Sequence, residues 1–134
     1  MNTLFTIELT INLPDSGRHA RKLLNLYFSG MPADISQTAF DLCGADAAVQ
    51  ARRFAKPTLK RAEAWTSPEG SLKAFALLSV YGEDAPFVQQ VIARYMQGFS
   101  DCLKRAVGRY FTEVSFPPEI SLQPTDWTAE VHRA

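Results

Sequence analysis

The clearest pattern in the chain is the alternation of apolar and polar residues over residues 4–13, in which Phe5, Ile7, Leu9, Ile11 and Leu13 point one way. Successive side chains of a β-strand point to opposite faces of the sheet, so this alternation predicts a strand with one buried face. Residues 71–81 are apolar at both sets of positions, which is typical of a strand in the centre of a sheet. The sequence therefore predicts two strong strands, one at the start of the chain and one beyond its middle.

Helical character occupies much of the segment between these two strands. Asp15 or Ser16 can cap the start of a first helix. We expect this helix to end near Gly30 and Pro32, because both residue types are unfavourable inside a helix. Residues 34–57 are also largely helical in character, and we interpret them as a helical insertion before the next strand.

A β-hairpin and a long helix are predicted next. Residues 58–66 form a moderate strand, and residues 67–70, with the sequence SPEG, suit a type I turn into the strand over residues 71–81. Asp84 is a good N-cap for the longest predicted helix, in which the helical spacing of apolar residues continues to Tyr110.

The predicted order of elements indicates a fold. The last predicted strand covers residues 112–116, and residues 117–134 are interpreted as a C-terminal extension. The order β-α-(α)-β-β-α-β is that of the ferredoxin-like split βαβ motif. We expect a single α+β domain over residues 1–134, with a two-layer ferredoxin-like (βαββαβ) antiparallel sheet. Its helices would lie on one face, the extra helical insertion would lie in the first crossover, and the first and third strands would be central.

A sheet with helices on one face leaves its other face open, and the apolar strand over residues 71–81 then needs a cover. Residues 34–55 are one candidate for this cover, and a second protein chain is the other. One orientation of the strand exposes Phe75, Leu77 and Tyr81. The other orientation exposes a different apolar set, Leu72, Leu78 and Val80. The predicted partner-binding residues are Phe75, Leu77, Tyr81, Trp65 and Glu8.

One run of basic residues suggests an alternative partner. The chain has 14 basic and 14 acidic residues and a formal net charge of zero, which argues against a dedicated nucleic-acid coat protein. A local run without acidic residues could nevertheless neutralise phosphates, with Phe54 and Trp65 available to stack on bases. The predicted nucleic-acid-binding residues are Arg52, Arg53, Lys56, Lys60 and Arg61.

Residues suited to catalysis are few. The chain has no GxSxG, P-loop, GxGxxG or HExxH motif. His19 stands among basic residues, and His132 lies close to the end of the sequence. Cys43 and Cys102 are in helix-like stretches, and their spacing does not match a metal site. The sequence therefore favours a non-enzymatic protein without a cofactor or metal.

Two alternatives to that interpretation stay open. Glu8 could meet Glu63 or Glu113 across strands, and such a carboxylate pair can bind a metal or share a proton. An apolar pocket between the sheet and its helices could also serve a small enzyme or a ligand sensor without any recognisable motif.

The function expected from the sequence is protein binding. We expect an inhibitor, immunity or accessory subunit that binds a protein partner, or a second copy of itself, through an apolar and aromatic surface. Nucleic-acid binding is less favoured, and membrane binding is not expected. The first residues lack the basic region of a signal peptide, so we expect a cytoplasmic protein.

Overall fold

Four strands and three helices are present in the part of the chain that the structure, a computed structural model, describes: residues 2–13, 17–68, 72–98 and 127–134. The elements are β1 (Thr3–Leu13), α1 (Gly17–Leu42), α2 (Ala47–Arg53), β2 (Phe54–Thr66), β3 (Leu72–Gly82), α3 (Ala85–Gln97) and β4 (Trp127–Arg133).

The four strands form one antiparallel sheet in the order β2-β3-β1-β4. The predicted α+β class is therefore confirmed, and β1 and β3 are the central strands, as the sequence predicts. In the central pair, Ile7 lies opposite Leu78 and Phe5 lies opposite Val80. All four side chains are buried, and none is more than 4% exposed. These residues form the base of the core on which the helices pack.

Helix α1 does not end at Gly30 and Pro32, contrary to the prediction. It runs without a break to Leu42 and contains Pro32 in its interior. A proline there costs about 3 kcal/mol relative to alanine, but the helix carries an apolar stripe that recurs every three or four residues. That stripe is buried in the core, and its burial outweighs the cost of the proline. Its members are Phe28, Met31, Ile35 and Ala39, and Cys43 continues it directly after the helix.

The predicted insertion over residues 34–57 is divided between three elements. Its first part belongs to α1, and its second part is the short helix α2, which Asp46 caps by accepting hydrogen bonds from the backbone N–H groups of Ala48 and Val49. Its last part already belongs to β2, which begins at Phe54 and not at residue 58. The register of β2 against β3 shifts between Ala55 and Thr58. A proline is tolerated at such a bulge on an edge strand, so Pro57 lies within the strand.

Helix α3 begins as predicted. The side chain of Asp84 accepts a hydrogen bond of 2.8 Å from the backbone N–H of Phe87. One face of the helix is buried against the sheet, and Gly82 of β3 lies so close to Val88 that a Cβ added to this glycine would be 2.5 Å from Val88 Cγ2. The buried residues of α3 are Phe87, Val88, Val91, Ile92, Tyr95 and Met96. The predicted continuation of this helix to Tyr110 lies outside the described residues.

The strand that completes the described sheet lies near the C-terminal end of the sequence. The strand predicted over residues 112–116 lies outside the described residues. The fourth strand of the described sheet, Trp127–Arg133, lies in the segment interpreted as a C-terminal extension, for which no strand was predicted. Trp127, Ala129 and Val131 are partly buried against the core and alternate with exposed residues. That alternation is a strand pattern, but it is short, and pairing with β1 stabilises it.

Candidate functional site

The structure decides which side of β3 faces outward. Leu72, Ala74, Ala76, Leu78 and Val80 are at most 3% exposed and pack against the helices. At the alternate positions of β3, Phe75 and Leu77 are half-buried and Tyr81 is exposed. Of the two orientations predicted for β3, the structure therefore has the one in which Phe75, Leu77 and Tyr81 face outward.

The strand register identifies the neighbours of these three residues on the side of the sheet against which none of the described helices packs, which we call the open face. Residues directly opposite each other on paired strands share a face, and the pairing extends in rows across all four strands. The middle row is Arg61, Leu77, Glu8 and Glu130. On one side of it lie Glu63, Phe75, Thr10 and Thr128, followed by Trp65, Lys73 and Asn12. On the other side lie Thr58, Ser79, Thr6 and His132, followed by Tyr81 and Leu4.

The five predicted partner-binding residues all lie on the open face. Phe75, Leu77 and Tyr81 come from β3, Trp65 comes from β2, and Glu8 comes from β1. Trp65 is 41% exposed and Tyr81 is 43% exposed, which is unusual for large aromatic side chains. Sequence analysis did not identify Leu4, which is also exposed and lies opposite Tyr81.

Residues 34–55 do not cover the open face. Ile35 and Ala39 are buried in the core on the opposite side of the sheet. Helix α2 is fastened to α1, because the side-chain amide of Gln50 donates a hydrogen bond of 2.9 Å to Ser36 Oγ. The insertion therefore thickens the helical side of the molecule and leaves the aromatic residues of the sheet exposed.

The two edges of the open face differ in charge. On the β2 side, Arg61 Nε lies 3.2 Å from Glu63 Oε1. The guanidinium group of Arg61 also lies 5.4 Å from the ring centroid of Phe75, within the range of a cation–π contact. On the β4 side, Glu8 and Glu130 lie directly opposite each other, which places two negative charges together.

His132 completes a cluster with these two glutamates. Its Nε2 atom lies 3.2 Å from Glu130 Oε2 and 3.8 Å from Glu8 Oε2. The three donor atoms lie within 4.8 Å of one another, so these side chains could hold a divalent cation. Sequence analysis missed the cluster because it left the C-terminal segment unpaired. The predicted pairing of Glu8 with Glu63 is wrong, since β3 separates their strands. Glu113 lies outside the described residues.

The basic run predicted to bind nucleic acid is split between different parts of the molecule. Arg53 forms an ion pair of 2.7 Å with Glu83, and its guanidinium group lies 3.8 Å from the ring centroid of Phe87. Arg61 lies on the open face and pairs with Glu63. The remaining three members, Arg52, Lys56 and Lys60, are exposed. Two of the five cations are therefore already engaged by carboxylates.

Two clefts among the described residues are large enough to take a small molecule. One cleft of about 400 Å³ lies between α1 and α3 and includes polar residues such as Asp34, Gln37 and Arg94. Another, of about 300 Å³, is a shallow groove at one end of the open face, with Trp65 and Lys73 in its lining. Both are open to solvent, and the second belongs to the open face.

The sole cysteine in the described residues is not an activated nucleophile. Cys43 is only 8% exposed, and burial raises the pKa of its thiol, with Asp46 and Glu83 adding to the rise and Arg53 opposing it. A buried neutral thiol is a poor nucleophile. Cys102 and His19 lie where no side chain is described. None of the described helices is long and apolar enough to cross a membrane.

Comparison with known proteins adds little to these observations. No family model matches the chain, and no curated protein matches it. Among solved structures, it resembles an X-ray crystal structure described as a "putative amidohydrolase/peptidase" from Burkholderia cenocepacia, with 12% sequence identity and a TM-score of 0.31. The match covers 98% of this chain but 27% of that one. The chain thus spans about a quarter of that protein, and a likeness of this size supports no assignment.

Proposed function

We propose that this chain is a non-enzymatic protein-binding module whose open face binds a second copy of the same chain. The observation that carries the proposal is the composition of that face. Trp65 and Tyr81 are exposed there, at 41% and 43%, and Phe75 and Leu77 are half-buried between them and the charged edges. Tryptophan and tyrosine are among the residues that contribute most to protein interfaces.

The arrangement of the sheet supports assigning the domain to the ferredoxin-like class. In that class, two helices pack on one face of a sheet whose first and third strands are central. The order β2-β3-β1-β4 with antiparallel neighbours agrees with that arrangement. A ferredoxin-like sheet with one face free of helices can pack face to face with another sheet.

The size of the open face is sufficient for a specific dimer. The four strands have 11, 13, 11 and 7 residues. With strands about 4.8 Å apart and a rise of about 3.4 Å per residue, they give a face of roughly 650 Å². Two such faces would bury about 1,300 Å² in total, within the usual range of about 1,200–2,000 Å² for specific interfaces.

The charge of the chain also favours a second copy as the partner. With 14 basic and 14 acidic residues, the protein has no net charge to repel its own copies. The open face itself carries both signs, with Arg61 at one edge and Glu130 at the other. A strongly charged partner would find only part of this face complementary, whereas a second copy offers both signs.

The test is the mass of the protein in solution over a wide range of concentration, measured by light scattering after size exclusion. The wild type should change from the 14.9 kDa monomer to a dimer as its concentration rises. Phe75→Lys should remain monomeric, since it places an ammonium group in the middle of the apolar surface. Its folding should be preserved, because the new lysine lies opposite Glu63.

The matched control is Gln90→Lys, which adds the same charge at an exposed position of α3. This variant should dimerise like the wild type. A wild type that stays monomeric at every concentration, or a Phe75→Lys variant that dimerises normally, would contradict the proposal.

A further inference from the structure

We infer that two copies pack with a two-fold axis parallel to the strands, so that Arg61 of each copy lies over Glu130 of the other. This inference rests on the proposed function and adds the geometry of the dimer. It follows from the cross-strand register and from the positions of the charges along the middle row of the open face.

The middle row determines which symmetric arrangements are favourable. It consists of Arg61 on β2, Leu77 on β3, Glu8 on β1 and Glu130 on β4, in that lateral order. The positive charge is therefore at one end of the row and the two negative charges are toward the other end. On β3 two outward-facing residues precede Leu77 and two follow it, so this row is at the centre of the face.

A two-fold axis perpendicular to the strands is electrostatically unfavourable. Consider such an axis in the plane between the two sheets, running along the middle row. It places each residue of that row directly opposite the same residue of the second copy. Arg61 would then face Arg61, Glu8 would face Glu8, and Glu130 would face Glu130. Like charges brought together across an interface oppose association, and here all three charged members of the middle row would be repelled.

A two-fold axis parallel to the strands removes these like-charge contacts and pairs Arg61 with Glu130, while Glu8 lies over Leu77 of the second copy. Such an axis, running between β1 and β3, exchanges the two edges of the sheet and keeps each row at its own level. Arg61 then lies over Glu130 of the second copy, and this happens twice in the dimer. At one end of the face, Tyr81 lies over Leu4 of the second copy, so two exposed apolar side chains meet.

The distances and exposure are suitable for these contacts. Sheets that pack face to face lie about 10 Å apart with nearly aligned strands, a gap that an arginine and a glutamate pointing toward each other can bridge. The side chains of Arg61 and Glu130 are 61% and 66% exposed, so neither is committed to the core. The existing pair of Arg61 with Glu63 is also exposed and contributes little in water. Arg61 can therefore change partner at small cost.

Charge reversal tests this geometry directly. Arg61→Glu alone and Glu130→Arg alone each replace two attractive contacts by two repulsive ones, and each should raise the dimer dissociation constant about tenfold or more. Mixing the two variants should restore association as a heterodimer, because each variant then supplies the charge that the other needs at one contact. The double variant R61E/E130R should form a homodimer of near wild-type affinity. In the mixture of the two single variants, native mass spectrometry separates the heterodimer from the two homodimers by mass.

The control for charge reversal away from the interface is Arg52→Glu, at an exposed position of α2. This variant should form homodimers normally, and it should show no preference for a mixed dimer with Glu130→Arg.

The outcomes separate the geometry from the function that it rests on. Preferential heterodimers of the two reversed variants support the parallel two-fold axis. Random mixing of these variants, while Phe75→Lys still abolishes dimers, overturns this axis and leaves the dimer itself intact. A wild type that is monomeric throughout overturns the proposed function and this inference together.

Discussion

Two adjacent leucines on β3 give the sharpest test of the sheet's orientation, because they point to opposite faces. Leu78 is 1% exposed, faces the helices and lies opposite Ile7 and Leu59. Leu77 is half-buried on the open face and lies between Glu8 and Arg61. Replacing each leucine by lysine makes the same chemical change at neighbouring positions.

The expected magnitudes differ by several kcal/mol. Leu78→Lys loses about 2–3 kcal/mol of apolar burial and also places an ammonium group in the core without a partner. The sum should exceed about 4 kcal/mol, a large part of the roughly 5–15 kcal/mol by which a typical domain is stable. Leu77→Lys can extend into water and gains Glu8 as a neighbour while adding repulsion from Arg61, so its cost should stay near about 1 kcal/mol or less.

Urea unfolding followed by circular dichroism measures both effects. The protein must be dilute enough to be monomeric, because dimerisation would add stability that depends on concentration. Leu78→Lys should unfold at a much lower urea concentration than the wild type, whereas Leu77→Lys should unfold at nearly the wild-type urea concentration. Equal and large losses in both variants would mean that the chain itself covers the open face, and the reasoning about a docking surface would fail.

Three further predictions test the packing behind that face. Gly82→Ala should destabilise the protein by about 1–3 kcal/mol, since the new Cβ lies 2.5 Å from Val88 Cγ2. The double variant Gly82→Ala/Val88→Ala should lose less free energy of unfolding than the two single variants lose together. If urea unfolding shows the losses to be strictly additive, the contact with Val88 is not what destabilises Gly82→Ala. Asp84→Ala should lower the free energy of unfolding by about 1 kcal/mol, because α3 loses its N-cap. Asp84→Asn keeps a capping oxygen and should keep most of the wild-type stability. Equal losses in the two variants would argue against the cap. Cys43, tested in a Cys102→Ser background, should react with a thiol reagent far more slowly than in urea-unfolded protein, and its reaction should need a more alkaline pH, because burial raises its pKa; equal rates in folded and unfolded protein would contradict this.

The sequence by itself determined the elements whose pattern is local and repeated. Strand β1 alternates apolar and polar residues, and α3 combines a regular apolar spacing with an N-cap at Asp84. Strand β1 begins one residue before its predicted start, and α3 begins directly after its predicted cap. These features depend on side-chain periodicity and on a cap a few residues away, which neighbouring residues alone specify.

Sequence patterns could not decide the points that depend on distant partners. Gly30 and Pro32 are local signals for a helix end, but the buried stripe on both sides of them continues α1. Strand β4 is too short to be evident before it pairs with β1. The cluster of Glu8, Glu130 and His132 therefore escaped the sequence analysis.

The candidate site shows the same division. The chemistry of β3 is visible in the sequence, since both of its faces are apolar and either could be outward. Only the helices decide which face is outward, by packing on Leu78 and Val80 and leaving Phe75 and Leu77 on the other side. A strand's two faces differ by a single residue shift, so the choice between core and surface is made by tertiary packing, where the total burial of apolar area is greatest.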